Sequence, residues 1–569
     1  MNDIRRTVLW VIFGFSMVLL WDQWQVHNGN KATFFPAQPK QMQTEQRAAD
    51  LELGKKTSDT PSLNSTSAQL TTKELPSARK ELIEVETDLL KVSFDSEGGT
   101  VARAELLKHE DEQKPGNKIL LLDDSKERVY VAQTGLISAQ ANSAPLPTHK
   151  TPMSIRPGER SLKDGASELT VTFESANLSG VKLVKSYIFK RNAYDIQVKH
   201  EILNLGQQEI SPQIYFQLVR DGNKPAGESS FYSTFTGPAV YTDTKKYQKV
   251  EFADIKKKKF DIEKESNNGY IAMVQHYFVS AWILPNGLKR EISFDAVDIG
   301  SSVPDCCYRA TMIAPLETIK PGQSKSIQST LFVGPQEENN LESIYPGLDL
   351  VKDYGWLTIL AKPLFWLLNQ LNSVLNNWGW SIVALVVLIK AAFYWLNAHA
   401  YKSMAKMKAI NPRIMDMRER LKDNPQQMQM EMMKIYREEK VNPMGGCLPI
   451  AIQIPVFIAL YWVLLSTVEI RNAPWAGWIH DLSAPDPYFI LPIFMTLTTL
   501  LQTALNPAPP DPMQAKMMWI MPLAFSVMFF FFPAGLVLYW ITNNVLSIAQ
   551  QWAINTQMGV PPQFNLPKF

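Results

Sequence analysis

Apolar and polar positions divide the chain into two kinds of zone. Apolar residues concentrate at the N-terminus and after Gly355, whereas residues 25–350 have the composition of a water-exposed protein. Inside that polar zone, apolar and polar residues alternate in stretches such as LLKVSFD, ELTVTFES and KLVKSYIFKR, with turn residues between them. Period-two alternation with β-branched and aromatic residues predicts strands. We therefore predict a large antiparallel β-sandwich over residues 81–345.

Five apolar segments follow the predicted sandwich. Each has roughly the ~20 residues that a helix needs to cross about 30 Å of hydrocarbon. We predict spans 2 to 6 of a membrane bundle at 378–397, 448–467, 488–505, 517–533 and 534–553. Residues 355–375 are apolar with a polar minority and contain Pro363, which favours an amphipathic helix lying at the membrane interface over a further span.

The N-terminal apolar run, residues 7–21, follows two arginines and predicts span 1. It is either a cleaved signal peptide or a retained anchor. Cleavage requires small residues after the apolar run, but the bulky Trp21 and Trp24 stand there. We predict an uncleaved signal anchor over residues 1–25. Residues 26–80 are rich in Gln, Ser, Thr, Lys and Pro, a composition typical of a flexible linker.

The charges of the connecting segments predict the orientation. Residues 399–442 carry ten Lys or Arg against six Asp or Glu, which places them in the cytoplasm by the positive-inside rule. The loop 469–487 has one arginine and no lysine and is predicted to face outward, whereas 506–516, with one lysine, is predicted to face inward. Six spans then leave the N-terminus and the tail 554–569 in the cytoplasm and export the sandwich.

Composition and motifs argue against an enzyme. The chain has 57 basic and 55 acidic residues, so we expect no DNA binding. It lacks a GxSxG elbow, a phosphate-binding GxxxxGK, an HExxH motif and paired CxxC motifs, so we expect no cofactor and no metal site. Cys306 and Cys307 are adjacent and Cys447 stands apart. A bond between neighbouring cysteines is conceivable, but the spacing favours free thiols.

Lys390 stands deep inside the second predicted span. A charge at the centre of a spanning helix costs about 3 kcal/mol, and such residues usually face a bundle interior or a wet cavity and mark function. The alternative is snorkelling, because only six apolar residues, about 9 Å of helix, separate Lys390 from Asn397. We favour the functional interpretation.

Other polar residues also lie within the predicted spans. They include Gln453, Asn543 and Asn544, each unfavourable in hydrocarbon without a partner or water. Ordinary hydrogen bonds between helices would satisfy them. Alternatively, they line one hydrated concavity with Lys390.

The segment 399–442 predicts two helices joined at Asp423-Asn424-Pro425, because proline disfavours helix in the preceding residue. It is rich in methionine, including Met404, Met407 and Met432. Flexible thioethers suit surfaces that accept varied apolar partners, but they also pack well between two helices. Its basic residues could meet ribosomal RNA or anionic lipid, although the charge excess is only four.

Three long segments carry a family resemblance. Residues 402–464, 468–493 and 532–551, the last reading FPAGLVLYWITNNVLSIAQQ, closely resemble the core of the YidC/Oxa/Albino insertase family. The anchor, linker, sandwich and five-span core also match the long Gram-negative layout of that family. The resemblance implies a membrane α-helical bundle with a five-helix insertase core, joined to a large periplasmic supersandwich-like β-domain.

The resemblance also implies a mechanism and a set of residues. A client's acidic or polar part enters a positively charged groove, and its apolar segment slides into lipid past the third and fifth spans, while the cytoplasmic hairpin receives the client. The groove residues are then Lys390, Gln453, Asn543 and Asn544. The sliding surface is Ile454, Pro455, Phe457 and Phe529. The hairpin residues are Met404, Met407, Arg418 and Met432.

The expected partners are nascent inner-membrane proteins, components of the Sec translocon, the ribosome (transiently) and membrane lipid. One position departs from the family pattern: its familiar members have arginine where this chain has Lys390. Lysine keeps the charge but loses the planar fork that binds a carboxylate with two parallel hydrogen bonds.

Two other functions compete with an insertase. A secondary transporter or channel with an exported binding domain would explain Lys390, but it predicts internal repeats with broken helices, and no repeat is visible across 378–553. An anchored carbohydrate-binding or carbohydrate-processing sandwich would explain residues 81–345 but leaves five further spans unused.

Overall fold

The structure is a computed structural model that describes most of the chain beyond residue 81. The described residues are 59–61, 81–111, 114, 116–138, 144–225, 234–421, 424–439, 448–506, 512–557, 559 and 564. The predicted anchor 1–25 lies outside them, as does the predicted linker 26–80 apart from residues 59–61. The chain divides into two compact units, with the boundary between Lys352 and Asp353.

The first unit is built from two antiparallel sheets, each with nine strands among the described residues. The strand order of the first sheet is β1 (Leu82–Glu86), β2 (Leu90–Asp95), β3 (Thr100–Glu110), β4 (Lys118–Asp124), β5 (Val129–Ser138), β10 (Pro212–Arg220), β17 (Tyr308–Pro315), β16 (Arg290–Ala296) and β13 (Glu265–Ser266). The order of the second sheet is β12 (Lys246–Lys249), β11 (Gly237–Thr242), β14 (Tyr270–Gln275), β15 (Phe278–Ile283), β18 (Ser324–Pro335), β9 (Asp195–Asn204), β8 (Val181–Lys190), β7 (Glu168–Ser175) and β6 (Met153–Ile155). Two short helices, α1 (Phe252–Lys257) and α2 (Glu338–Ile344), complete this unit with a 3-10 turn at Leu348–Val351.

Alternation along the strands creates the core between the two sheets. In β9, the side chains from Ile196 to Ile202 are buried at every second position, as period two requires. The core also contains polar links between the sheets: the Tyr130 hydroxyl lies 2.7 Å from Ser280 Oγ, and Trp282 Nε1 donates to the carbonyl of Gln217 at 3.2 Å. The prediction of a large antiparallel β-domain is confirmed.

The cysteine pair differs from the expectation of free thiols. Cys306 and Cys307 are joined by a disulfide between neighbouring residues. Both side chains belong to an apolar cluster on the first sheet that includes Val129 and Val219. Spacing rules for disulfide frameworks concern cysteines that are distant along the chain, so they carried little information about adjacent ones.

The second unit is helical in its described part. Its helices are α3 (Thr358–Leu375), α4 (Trp378–Ala392), α5 (Tyr394–Arg420), α6 (Pro425–Glu438), α7 (Leu448–Ser466), α8 (Ile490–Leu505), α9 (Pro512–Met528) and α10 (Ala534–Gln557). Short 3-10 turns occur at Gly355–Leu357, Val468–Ile470 and Phe529–Phe531. One apolar core joins α3, α4, α7, α8 and α10.

Helix α3 covers most of the segment predicted to lie at the interface. Its buried residues are Ala361, Phe365 and Leu368, whose spacing of four and three residues places them on one face. On its other side, Ile359 is 88 % exposed and Trp366 is 63 % exposed. Pro363 is accommodated inside the second turn of the helix.

Helices α4 and α5 divide the predicted span 378–397 in two. The break falls at Phe393, whose φ of −93° and ψ of 10° lie in the bridge region rather than the helical one. The axis of α4 and that of the first part of α5, Tyr394–Ser403, differ by 65°. Among all the described helices, no single one reaches the length and apolarity of a membrane span, and this bent pair reaches them only together.

Candidate functional site

Lys390 is the deepest basic residue of the predicted spans, and the structure buries it. It lies near the end of α4, three residues before the break at Phe393, and is 7 % exposed. Its Nζ donates to Ser547 Oγ at 2.7 Å, and that hydroxyl donates to the carbonyl of Asn543 at 2.7 Å. The lysine therefore points across the unit towards α10 instead of along α4 towards its end. This geometry differs from snorkelling, and the functional role of Lys390 stays a prediction.

Gln453 and Asn543 lie beside Lys390. The Gln453 side chain on α7 donates to Asn543 Oδ1 on α10 at 2.8 Å. With Lys390, Asn397 and Tyr539, these two residues line a cavity of about 20 Å³. Because about 10–15 Å³ of such space suffices for one water molecule, the cavity has room for hydration beside the lysine. Three of the four predicted groove residues thus meet at one small cavity, whose other lining residues are mostly apolar.

Asn544 points to a different neighbour. Its Nδ2 donates to Thr499 Oγ1 at 2.8 Å and to Thr498 Oγ1 at 3.3 Å, both on α8. Consecutive residues of a helix are about 100° apart around its axis, so Asn543 and Asn544 cannot both face the cavity. The structure does not bring Asn544 together with Lys390.

Ser547 is a neighbour of Lys390 that the sequence analysis did not predict. It belongs to a buried polar stripe on α10 with Asn544 and Gln551, spaced by three and four residues. Gln551 Nε2 continues the stripe with a 3.3 Å hydrogen bond to the carbonyl of Leu505. The spacing of these residues in an otherwise apolar run was the signal that could have revealed the stripe.

The residues of the predicted sliding surface fall into two groups. Phe457 on α7 and Phe529 both pack on Trp540, with ring centroids 4.7 and 5.0 Å apart. They line an apolar cavity of about 870 Å³ between α7, α8, α9 and α10. Ile454 is 50 % exposed, and neither it nor Pro455 belongs to the lining of this cavity.

The segment predicted as a cytoplasmic hairpin forms the helix pair α5 and α6. Met407 and Met432 pack into a cluster around Ile414 and Ile435, as the packing alternative expected. Other methionines remain outside this cluster: Met415, Met430 and Met433 are 54 %, 66 % and 53 % exposed. Arg418 is half-buried on α5, and the Met404 side chain lies outside the described part of the chain.

Comparison with known proteins matches nearly the whole chain. The family described as "YidC periplasmic domain" matches residues 82–367, and the family described as "60Kd inner membrane protein" matches residues 370–560. The membrane protein insertase YidC of Cupriavidus necator is 52 % identical over 560 residues, with 98 % of each chain covered. That of Burkholderia cenocepacia is 49 % identical over 558 residues, covering 98 % of this chain and 99 % of the relative.

Solved structures give weaker similarity. A crystal structure of an active YidC insertase, with its first transmembrane domain resolved, is 19 % identical and covers 83 % of this chain and 92 % of its own, at a TM-score of 0.38. A galactose mutarotase related enzyme from Lactobacillus acidophilus is 8 % identical and covers 44 % of this chain and 97 % of its own, at a TM-score of 0.28.

Proposed function

The chain belongs to the YidC family and is a membrane protein insertase, and from that premise we propose that Lys390 receives acidic or polar segments of its clients. The insertase function, the inner membrane and the periplasmic location of the β-domain follow from the relatives and from the two matching families. The family is not a family of enzymes, so the site has to bind and release a segment without breaking bonds. The proposal depends on one observation: Lys390 is buried, and its Nζ donates a hydrogen bond to the neutral hydroxyl of Ser547.

A client carboxylate can compete for Lys390. Ser547 offers the lysine a neutral hydroxyl oxygen, whereas a carboxylate offers a charge. A charge pair at about 4 Å gains ~1 kcal/mol in water and ~4 kcal/mol at an intermediate dielectric. That range favours brief capture of a short acidic segment and subsequent release. Gln453 and Asn543, which bond to each other beside the lysine, can exchange partners with polar groups of the client.

The apolar part of the client leaves through the cavity lined by Phe457 and Phe529. This cavity is large and apolar, and it lies on helices that also carry exposed apolar side chains, such as Phe525 at 56 % and Leu523 at 52 %. Transfer of the client's apolar surface out of water provides about 25 cal/mol per Å². No nucleotide is needed for that step.

The topology belongs to the same proposal. The segment 399–442 has ten basic and six acidic residues, which favours a cytoplasmic hairpin. That orientation agrees with six spans that leave both the N-terminus and the C-terminus in the cytoplasm. The exposed methionines of the hairpin offer adaptable contacts to an emerging client. The Sec translocon, the ribosome and membrane lipid are the remaining proposed partners.

The test is insertion in cells depleted of their own YidC. Such cells would express the wild-type chain, Lys390→Arg, Lys390→Ala or Lys390→Glu, and protease protection of a small client with an acidic exported tail would report insertion. We expect rescue by the wild type and by Lys390→Arg, at least a tenfold loss with Lys390→Ala, and failure of Lys390→Glu. Rescue by all four chains would remove the charge from the mechanism while leaving the insertase function intact.

A further inference from the structure

Residues 59–61 of the predicted linker lie against the β-domain. Pro61 is buried, and the Asp59 side chain is only 16 % exposed. A sequence of this composition was expected to remain free of the sandwich. The contact therefore indicates a site on the sandwich that recognises these particular residues.

Asp59 is bound by the neighbouring His149 and Lys150 and by Arg309, which is distant from them along the chain. Its carboxylate Oδ2 lies 2.9 Å from Lys150 Nζ and 3.3 Å from His149 Nε2. Its backbone carbonyl accepts a 2.7 Å hydrogen bond from Arg309 Nη1 on β17. The site thus binds both the carboxylate and the backbone carbonyl of the same residue, as a recognition site for a peptide segment would.

Buried residues of the sandwich hold the side chains that bind Asp59 in position. His149 is 4 % exposed, and its backbone N–H donates to the Tyr215 hydroxyl at 3.0 Å. That hydroxyl lies 2.6 Å from His149 Nδ1 and can donate to it, which leaves the Nε2 proton to point at Asp59. Two glycines make the space: a Cβ at Gly135 would lie 2.4 Å from the Tyr215 hydroxyl, and one at Gly98 would lie 2.2 Å from the carbonyl oxygen of His149.

The electrostatics favour an ionised carboxylate. Burial acts to raise the pKa of Asp59, but its hydrogen bonds and charge interactions with His149 and Lys150 outweigh burial and hold that pKa well below its ordinary range. Burial lowers the pKa of His149, and the hydrogen bond and charge of Asp59 oppose that effect. Arg309 is also held in place, since its Nη2 lies 3.5 Å from Asp295 Oδ2.

We propose that this is a peptide-binding site for a segment with an aspartate followed two residues later by a proline, and that residues 59–61 occupy it as an internal ligand. The same site then binds such a segment of another periplasmic or exported protein when the internal one leaves. A ligand on the same chain binds intramolecularly, so it masks the site from weak competitors. This site is separate from Lys390 and would act on the periplasmic side.

The experiment measures binding of a fluorescent nonapeptide with the sequence of residues 56–64 to the full-length chain in lipid nanodiscs. One chain is the wild type, and the other carries Asp59→Gly and Pro61→Gly, which remove the internal ligand. We expect the substituted chain to bind the peptide at least tenfold more tightly. A peptide with asparagine in place of its aspartate should lose at least tenfold in affinity, because its contacts lose their charge.

Lys150 provides the matched control, because it is 56 % exposed and its loss does not threaten the fold. Lys150→Met in the substituted chain should weaken peptide binding several-fold. Lys245→Met, which removes an exposed lysine paired with Asp261 elsewhere on the sandwich, should leave it unchanged. Equal binding of the Asp and Asn peptides, or no binding to either chain, would overturn the proposal and make residues 59–61 an ordinary part of the fold.

Discussion

In the sandwich, the position of a polar residue in its strand determines whether its side chain is buried, even where burial is unfavourable for a polar group. Lys185 and His200 occupy inward positions of β8 and β9 and are fully buried. Lys185 Nζ donates to the carbonyls of Gly98 and Thr134 at 2.7 and 2.8 Å, and His200 Nε2 lies 2.9 Å from Thr134 Oγ1. Burial lowers the pKa of Lys185 to about 7. Period two thus fixes which way a side chain points, and the interior has to supply its partners.

His200 should make the sandwich sensitive to acid. Burial, and to a lesser degree the charge of Lys185, hold the pKa of His200 well below its ordinary 6.5. The unfolded chain therefore takes up a proton below about pH 6.5 that the folded chain refuses, so this stability is present above that pH and lost as pH falls. Between about pH 7 and pH 5, the free energy of unfolding of the sandwich should decrease in the wild type. In His200→Gln that decrease should be smaller by about 2 kcal/mol.

Urea-dependent pulse proteolysis of the sandwich measures that difference, since cleavage reports the unfolded fraction. His276→Gln is the control, because His276 is partly exposed and should leave the pH dependence unchanged. The same decline in all three chains would show that His200 is not the responsible group.

At the scale of elements, the loop between α7 and α8 closes one end of the helical unit. The first N–H groups of a helix have no partner within it. In α10, those of Ala534 and Gly535 donate to the loop carbonyls of Ala484 and Leu482 at 2.8 and 2.9 Å. The same loop places Trp475 against Gly379 at the start of α4. The loop therefore contacts both α4 and α10, which are distant along the chain.

Gly379 at the start of α4 should be intolerant of a side chain. A Cβ there would lie between 2.2 and 2.7 Å from side-chain atoms of Trp475, whose carbonyl also accepts a 3.1 Å hydrogen bond from Asn377 Nδ2. Forcing such a contact typically costs about 1–3 kcal/mol. We expect Gly379→Ala to lower the thermal midpoint of the helical unit in detergent and to reduce insertion. Gly158→Ala, which meets open space, should change neither quantity, and an unchanged midpoint for Gly379→Ala would show that Trp475 can move freely.

At the scale of the whole molecule, periodicity carried most of the prediction. The alternating stretches LLKVSFD and ELTVTFES contain β2 and β7. The apolar segment 448–467 almost coincides with α7, Leu448–Ser466. These patterns report burial over many residues, so local errors average out. The break at Phe393 depends on the dihedral angles of a single residue, and an unbroken apolar run gives no sign of it.

The candidate site was predictable only in part for a related reason. Lys390 stood out because a charge in an apolar run is costly by itself. Ser547, its partner, is 157 residues away and is unremarkable until α4 and α10 are brought together. The contact of Asp59 with Lys150 and His149 could not be predicted from the composition of the linker. A polar linker gives no indication of which of its residues pack on the sandwich.

Each unit has its own apolar core, so damage to one core should stay local. Trp282 is completely buried in the sandwich, where its ring packs 5.3 Å from that of Phe216. Truncating such a residue to alanine typically costs about 3–5 kcal/mol. In Trp282→Ala, hydrogen exchange should accelerate in β10 and β15 and remain unchanged in α4 and α10. Trp366→Ala, which alters a 63 % exposed residue of α3, is the control and should change neither region. If α4 and α10 exchanged faster together with the strands, the two cores would unfold as one, and the stability of the candidate site at Lys390 would depend on the periplasmic domain.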